Sequence, residues 1–331
     1  MSNSAVAGYT TRPETMDTHS NDDVVLSLES VRKAFGNLQA VWDLSLRVPR
    51  GSIYGIIGPN GAGKTTTLRM ILDIIGPDSG RVSFNFTRDG ARFDRIGYAP
   101  EEGGLYKKMT VERTLLFLAE IKSVSNHAAR PRLTHWLERL GLTEWRKRKI
   151  EDLSKGMQQK VRFIGTLLHE PELIILDEVF SGLDPVNVEL IKDTLLNLRA
   201  AGTTILFSTH VMEQAEKLCD CVCMIDHGKK VLDGPLGEVK AQFGDNAVLI
   251  EGDFSIETLR ELKGIQAIRA ERRVFELTLE PDCDTRSLFA AIAGSGQLDH
   301  LERKKPSLHH IFLTVAGRTS AGPPTTENTH P

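Results

Sequence analysis

The fold of this chain is decided by the loop Gly58-Pro59-Asn60-Gly61-Ala62-Gly63-Lys64-Thr65. The loop follows the apolar run 53–57, which predicts a buried strand, and precedes 66–72, which predicts a helix beginning at Thr66. This is the G-x-x-x-x-G-K-[ST] pattern in its strand–loop–helix setting. Its glycines let successive backbone N–H groups point inward, and with the N-terminus of the helix these groups form a cradle for phosphate. We refer to this segment as the P-loop.

Two polar side chains of the P-loop complete the predicted site. Lys64 is placed to reach the β- and γ-phosphates of a nucleotide, and the Thr65 hydroxyl is placed to bind Mg²⁺. The motif therefore predicts that the chain binds a nucleoside triphosphate.

Two carboxylates follow another strongly apolar run. The run 173–176 predicts a buried strand, and Asp177 and Glu178 come directly after it. In doubly wound sheets, ligands bind at the carboxyl ends of the strands. Asp177 is suited to Mg²⁺ coordination, directly or through water, and Glu178 to polarising an attacking water. The alternative is a pair of surface acids that cap a turn.

Two further side chains are candidates for the same site. His210 follows a buried strand predicted over 204–209, and this strand ends at the sheet edge that holds the P-loop and Glu178. We therefore expect a functional role for His210, although a lone histidine is normally uninformative. Phe35 lies in the connection 30–36 between two predicted short strands, 24–29 and 44–48. It could stack on a base, or it could serve local packing.

The length, composition and net charge limit the number of domains, the membrane topology and the partners that can be expected. A chain of 331 residues is expected to hold one large domain and a smaller one. No apolar run approaches the roughly 20 residues needed to cross a bilayer. Residues 1–23 are polar and predict a flexible tail without a secretory signal. The net charge of −3 gives no reason to expect nucleic acid as a partner.

Three of the four cysteines alternate along one apolar stretch, at Cys219, Cys221 and Cys223. Because strand residues two apart share a face, a metal site is conceivable, but a plain buried strand is favoured. The cysteine usage suits the reducing cytoplasm.

The stretch 110–168 has helical periodicity without a strand-like run, which predicts a helical insertion at about 102–168. Within it, the basic run 146–149 is most simply a solvated face, although a contact with another subunit is an alternative. Ser154 precedes a long helix and is suited to capping it. With the nearby Gly156, this helix N-terminus is a second candidate phosphate site.

The pattern of apolar residues changes after residue 246. Strand-like and helical segments follow one another in a βαββαβ order, which suggests a small ferredoxin-like accessory domain over 246–316. This part contains no chemical motif. The last residues, 317–331, predict a disordered tail.

Taken in order, these motifs resemble those of the ATP-binding-cassette (ABC) ATPases, the nucleotide-hydrolysing subunits of ABC transporters. The resemblance covers roughly 24–237. It matches the P-loop to the Walker A motif, 173–177 to the Walker B strand, and Glu178 to the catalytic glutamate. It also matches Ser154 and Gly156 to the signature, 181–184 to the D-loop, His210 to the switch histidine and Phe35 to the adenine-stacking aromatic. The segment 305–313 is similar, more weakly, to a C-terminal extension of prokaryotic exporters, including the sodium-efflux type.

The resemblance implies a fold and a set of site residues. The fold is an α/β P-loop NTPase cassette over 24–240, with a mixed sheet core, an antiparallel β subdomain and the helical insertion, followed by a small α+β domain. The implied catalytic residues are Glu178, His210 and Lys64, and the implied Mg²⁺ ligands are Thr65, Glu101 and Asp177. The implied ATP-binding residues are Phe35, Gly58, Pro59, Asn60, Gly61, Ala62, Gly63, Lys64, Thr65, Thr66, Ser154, Gly156 and Asp184.

The sequence departs from the family pattern in two places. The signature is LSKGMQ instead of LSGGQ, so Lys155 replaces the first glycine and Met157 the glutamine. Ser154 and Gly156, which would contact the γ-phosphate, are retained. The Q-loop position after Tyr98-Ala99-Pro100 holds Glu101 instead of glutamine.

The resemblance also implies partners and a location. Two cassettes close head to tail around ATP, so the chain is expected to form a homodimer and to drive separate membrane permease subunits from the cytoplasmic face of the membrane. The implied function is ATP hydrolysis that powers export of an ion, a drug, a lipid or a peptide. The alternatives are a soluble ABC ATPase acting on ribosomes or DNA and, less well supported, a small-molecule P-loop kinase.

Overall fold

The computed structural model of the chain describes residues 23–87, 91–243, 247–280, 283–304 and 306–320. The predicted N-terminal tail lies outside these ranges except for Asp23, and so do residues 321–331. The described residues form a nine-stranded sheet and a four-stranded sheet.

The larger sheet has the strand order β4-β1-β2-β9-β8-β3-β7-β6-β5. Its strands are β1 (Val24–Phe35), β2 (Leu38–Pro49), β3 (Ile53–Ile57), β4 (Ser79–Phe84), β5 (Ile96–Ala99), β6 (Leu173–Asp177), β7 (Thr204–Thr209), β8 (Cys221–Asp226) and β9 (Lys229–Pro235). Strands β5, β6, β7, β3 and β8 are parallel neighbours, whereas β1 pairs antiparallel with β2 and β4, and β8 with β9. The sheet is therefore mixed, with an antiparallel portion at the β4 edge.

The predicted connection at 30–36 is wrong. Strand β1 continues to Phe35, and the chain turns at Gly36, which has a φ of +57°. The register of β1 against β2 shifts between Leu28 and Val31, and Ser30 there has a φ of +46°. Such a bulge breaks the alternation of apolar residues without ending the strand. The sequence pattern consequently suggested two short strands with a loop between them.

Alternation within each central strand supplies the core on both faces of the sheet. On β6, Ile174 and Leu176 belong to one apolar cluster, whereas Leu173 and Ile175 belong to the other. Cys221 and Cys223, two residues apart on β8, share one face and one cluster, whereas Cys219 precedes the strand and belongs to the other cluster. Burial raises the pKa of all three thiols, that of Cys221 to about 11. The expectation of a plain buried strand is met in β8, and the described residues hold no cluster of three or more metal-binding side chains.

Seven helices accompany the larger sheet within the described residues up to 243. They are α1 (Lys64–Ile71), α2 (Val111–Ile121), α3 (Asn126–Arg139), α4 (Lys155–Leu167), α5 (Pro185–Ala200), α6 (Met212–Leu218) and α7 (Leu236–Ala241). Helices α2, α3 and α4 lie between β5 and β6, where the helical insertion was predicted. Of the basic run there, Arg146 forms an ion pair with Glu112 at 2.7 Å.

The second sheet is built from β10 (Ala247–Asp253), α8 (Ile256–Arg260), β11 (Ile265–Glu271), β12 (Val274–Leu279), α9 (Thr285–Ser295) and β13 (Gln297–Lys304). All of its neighbouring strands are antiparallel, in the order β11-β12-β10-β13. This βαββαβ arrangement is the ferredoxin-like one that the sequence predicts. The sheet and its two helices bury an apolar cluster of their own, which includes Val248, Phe275 and Ile292.

In the last helix, α10 (Leu308–Ser320), none of the described side chains belongs to the second sheet's cluster. Its Leu308 and Ile311 are fully buried in a cluster of the larger sheet. The expectation of a separate accessory core therefore applies to the four-stranded sheet but not to α10. The helix also continues to Ser320, past residue 316 where the accessory domain was expected to end. No described helix is long and apolar enough to cross a bilayer.

Candidate functional site

The P-loop joins β3 to α1, and α1 begins at Lys64, two residues earlier than predicted. Gly58 and Gly63 have φ values of +152° and +105°. A Cβ on Gly58 would lie 2.0 Å from the Ile225 carbonyl oxygen, and one on Gly63 would lie 2.4 Å from that of Ala40. Only glycine fits at these two positions, because β8 and β2 press against the loop. The loop backbone is thus held in the curled form that a phosphate cradle requires.

Lys64 is buried at the start of α1 and faces the carboxylates of the sheet edge. Its Nζ donates hydrogen bonds to the carbonyl oxygens of Gly58 and Pro59, at 2.9 and 3.0 Å. The same Nζ lies 3.5 Å from Oε1 of Glu178. Lys64 therefore connects the P-loop with the carboxylate of Glu178, which directly follows β6.

Asp177 is the most buried of the acidic site residues, with 1% of its surface exposed. Its Oδ1 accepts hydrogen bonds from Thr65 Oγ1 at 3.2 Å and from Ser208 Oγ at 2.5 Å. A buried carboxylate needs such donors, or a cation, to offset its desolvation. The pair Thr65 and Asp177 brings a hydroxyl and a carboxylate together, which is the donor set suited to Mg²⁺ beside a phosphate.

Glu178 has an unusual backbone conformation, with a φ of +48°. For a residue with a side chain, this left-handed conformation costs about 1–2 kcal/mol. Its N–H donates to the carbonyl and hydroxyl oxygens of Ser208, at 3.3 and 3.2 Å. Its Oε2 lies 3.0 Å from His210 Nδ1. The structure therefore brings Glu178 into contact with both Lys64 and His210 at the carboxyl edge of the sheet.

Glu101 lies in the loop after β5, and its side chain is exposed. Its carbonyl oxygen accepts a hydrogen bond from Arg162 Nη1 of α4 at 2.8 Å. Desolvation, and then the charges of Asp177 and Glu178, raise the pKa of Glu101 above its ordinary value. The side chain therefore lies within electrostatic reach of the other two acids.

The predicted signature and D-loop residues form a second group, which we call the signature cluster: Ser154, Gly156 and Asp184. Ser154 caps α4, its Oγ accepting from Met157 N at 3.2 Å, and Asp184 caps α5, its Oδ1 accepting from Asn187 N at 3.0 Å. A Cβ on Gly156 would lie 3.3 Å from the carbonyl oxygen of Gly182, so the two segments adjoin. These residues are exposed or half-buried.

Phe35 lies at the end of β1, where half of its surface is exposed. Lys33 Nζ sits 5.6 Å from the centroid of its ring. The hairpin that carries Phe35 also carries Ala40, whose carbonyl oxygen lies behind Gly63 of the P-loop. Its accessible ring is compatible with base stacking, and nothing in its contacts excludes local packing.

Sequence reasoning missed Ser208, whose hydroxyl contacts both Asp177 and Glu178. No local pattern marks Ser208, because His210 lies beyond the end of β7 and the alternation of the strand does not extend to it. Strands β6 and β7 are paired so that Asp177 lies opposite Ser208. Predicting that register would have placed the serine in the site.

Comparison with known families divides the chain as the two sheets suggest. Residues 41–181 match the ABC transporter family, and residues 234–316 match the C-terminal domain of DrrA1-3-like ATP-binding proteins. The second match covers the four-stranded sheet together with most of α10.

Several known proteins are similar to the chain over most of its length. The ABC transporter ATP-binding protein YhaQ of Bacillus subtilis is 42% identical over 88% of this chain and 99% of its own length. The linearmycin resistance ATP-binding protein LnrL of the same organism is 31% identical over 89% of this chain and 99% of its own length. The Nod factor export ATP-binding protein I of Cupriavidus pinatubonensis is 35% identical over 89% of this chain and 91% of its own length.

Solved structures resemble the cassette. An ATP-binding subunit of an ABC transporter superposes with a TM-score of 0.61 and 31% identity, over 66% of this chain and 93% of its own. MJ1267, an ATP-binding cassette of an ABC transporter in its ADP conformation, superposes with a TM-score of 0.57 and 26% identity, over 65% and 92%. With relatives this similar along nearly their whole length, the chain belongs to the ATP-binding, ATP-hydrolysing subunits of ABC transporters.

Proposed function

We propose that this ATPase hydrolyses Mg²⁺-ATP at the edge formed by the P-loop, Asp177, Glu178 and His210, and thereby powers export through separate membrane permease subunits. The observation that carries the proposal is the contact of Glu178 with both Lys64 and His210, beside the Thr65–Asp177 hydrogen bond. These contacts join a phosphate-binding loop, a candidate base and a candidate metal ligand pair in one site.

The residues of the site divide the chemistry among them. The P-loop N–H groups and Lys64 bind the phosphates, and Lys64 stabilises the negative charge that develops there. Glu178 accepts the proton of the attacking water as general base. His210 holds the carboxylate of Glu178 in orientation, while Ser208 fixes the backbone from which that carboxylate projects. Phe35 stacks on the adenine.

Thr65 and Asp177 are the residues that would hold Mg²⁺, because their oxygens already meet at 3.2 Å. When bound, the ion neutralises charge on the phosphate oxygens. Magnesium sites beside phosphates use only one or two carboxylates, so Asp177 with Thr65 is sufficient. Glu101, in the loop after β5, would be a further ligand of the ion.

A second copy of the chain completes each ATP site in this proposal. The signature cluster is exposed, and Ser154 leaves the N-terminus of α4 facing outward, where N–H groups favour anions. Head-to-tail closure would bring Ser154 and Gly156 of one copy to the P-loop of the other.

Export is supported by the relatives. One of them is named for resistance to linearmycin and another for Nod factor export. We propose that this chain likewise serves an exporter, bound to its permease on the cytoplasmic face of the membrane. Copurification of the tagged chain from detergent-solubilised membranes should recover a multi-span membrane protein. Recovery of ribosomal proteins or DNA instead would contradict the transport role.

The catalytic assignment is tested by Glu178→Gln. Losing a general base costs about 10²–10⁴-fold, so the variant should bind Mg²⁺-ATP with parental affinity and turn it over at least a hundredfold more slowly. The dimer should then accumulate with trapped ATP, which size-exclusion chromatography detects.

Glu172→Gln is the matched control, since Glu172 is a buried glutamate at the opposite end of the same strand, paired with Arg50 and Arg95 at 3.6 Å. It should lower stability and leave turnover per folded molecule unchanged. Near-parental turnover of Glu178→Gln would remove Glu178 from the role of base.

A further inference from the structure

Both ends of the accessory domain meet the cassette at one residue of α6. Glu216 forms an ion pair with Lys240 of α7, the helix that leads into the accessory domain. The second carboxylate oxygen, Oε2, accepts a hydrogen bond from the N–H of Leu308 at 3.2 Å, at the start of α10. One carboxylate thus connects the entry and the exit of the accessory domain.

The contact between α10 and the cassette is extensive. Leu308 and Ile311 have no exposed surface, and Phe312 and Val315 pack beside them. The apolar partners include Ala215 and Leu218 of α6 in the same cluster. A carboxylate at a helix N-terminus interacts favourably with the helix dipole, so Glu216 stabilises α10 where it docks. Helix α6 therefore lies between the sheet and α10.

Helix α6 is the element that follows the switch histidine. It begins at Met212, two residues after His210. The short link between them is held by Thr209, whose Oγ1 accepts from Val211 N at 3.0 Å and lies 3.4 Å from Oε1 of Gln214 on α6. These hydrogen bonds link the start of α6 to the segment that carries His210, and His210 contacts Glu178 at 3.0 Å.

We propose that Glu216 is a positioning residue for ATP hydrolysis, through which the accessory domain holds α6 and sets the contact between His210 and Glu178. The inference rests on the proposed roles of Glu178 and His210. Its consequence is that the accessory domain controls the rate of hydrolysis without touching the nucleotide. Undocking of α10, whatever its cause, would slow turnover.

The test uses the full chain with Glu216→Ala. Energetic coupling through packed elements is worth about 0.5–2 kcal/mol, so kcat should fall roughly two- to thirtyfold while KM for ATP stays unchanged. Hydrogen exchange of the amides of 212–218 and 308–315 should become faster. Glu213→Ala is the matched control. Glu213 lies on the same helix, and its ion pair, at 2.7 Å, is with Lys217 of that helix. It should match the parent in kcat and in exchange.

A double-mutant cycle separates positioning from general stability. If Glu216 acts through His210, Glu216→Ala should cause no further fall in kcat in a His210→Ala background. The same fractional fall in both backgrounds would overturn the proposal, as would a parallel loss of ATP affinity.

Ile311→Asp provides a second route to the same test, since it places a charge in the buried contact of α10. Faster exchange of α10 with kcat unchanged would also overturn the proposal. That result would leave the role of Glu178 intact, because Glu178→Gln tests it separately.

Discussion

Both the backbone conformation and the carboxylate position of Glu178 are fixed by neighbouring residues of the site. Its left-handed backbone is tolerated because Ser208 accepts its N–H twice, and its carboxylate is placed between Lys64 and His210. Backbone strain of this kind is found where function requires a side chain to point in a direction that ordinary backbone would not give. Each neighbour of Glu178 thus fixes a different part of the same residue.

Glu101 carries the first prediction at this scale. Desolvation, and then the charges of Asp177 and Glu178, raise the pKa of Glu101, so the three acids lie close enough to repel one another. The negative charge of Glu101 should therefore weaken the binding of ATP when Mg²⁺ is absent. Glu101→Gln should bind ATP more tightly than the parent without Mg²⁺ and should keep its hydrolysis. Glu101→Ala should need more Mg²⁺ for half-maximal rate, because hard cations favour carboxylate oxygens.

Titration of ATPase rate and ATP affinity against Mg²⁺ checks these outcomes. Glu102→Gln tests the alternative that Glu101 points to solvent and that Glu102, at the adjacent exposed position of the same loop, or a water serves the metal. Three superimposable Mg²⁺ curves for the parent and the two Glu101 variants would refute the metal-ligand role.

Among the elements, the end of α4 is joined to β5 by a buried histidine. His169 Nε2 lies 3.1 Å from the carbonyl oxygen of Ile96, and its Nδ1 has no hydrogen-bond partner among the described residues. Burial, followed by the charge of Lys122, lowers the pKa of His169 to about 4. The ring is therefore neutral in the folded protein under conditions in which the unfolded chain already binds a proton.

This difference predicts a pH dependence of stability. The contribution of His169 is complete above pH 6.5 and is lost as the pH falls from 6.5 towards 4, because only the unfolded state gains a proton in that range. At pH 5 the loss amounts to about 2 kcal/mol. His169→Gln, which keeps a donor for Ile96, should lose correspondingly less stability between pH 7.5 and pH 5 in urea unfolding.

His127→Gln serves as the control, because His127 is exposed on α3. It should retain the acid sensitivity of the parent. Equal acid sensitivity of the parent and His169→Gln would show that His169 titrates normally.

Local sequence determined more of the site than of the contacts between elements. The P-loop and the acids after β6 could be predicted because each lies next to an apolar strand whose carboxyl end is a ligand edge. Ser208 required the register of β6 against β7, which no local pattern encodes. Helix α10 was not predicted, although Leu308, Ile311, Phe312 and Val315 have the spacing of one apolar helix face. The spacing does not say which core covers that face, so the docking of α10 on α6 could not be foreseen.

The whole molecule provides the test of the shared ATP site. Ser154→Arg should abolish hydrolysis without preventing ATP binding to the P-loop. Lys64→Ala should abolish hydrolysis by damaging the P-loop half of the shared site. In a head-to-tail mixed dimer, both defects fall on one site and the other site is intact. An equal mixture should therefore recover roughly a quarter of parental activity, since half of randomly formed dimers are mixed.

The measurement is the ATPase rate of the mixture after subunit exchange, with each variant alone as control. Mixed dimers can be counted by giving the two variants different affinity tags. Absence of activity although mixed dimers are present would contradict two independent shared sites.

The burial of Leu308 and Ile311 against α6 also bears on how the protein is made. The ribosome completes every nucleotide-binding residue before it reaches α10, and at about 5–20 residues per second the interval lasts some seconds. During that time the surface formed by Ala215 and Leu218 is bare on a cassette that already contains its P-loop and both acids. A nascent chain in this state displays the apolar surface that chaperones and proteases recognise. Docking of the last helix thus covers this apolar surface, and a chain that stops before residue 308 would leave the surface open to chaperones and proteases.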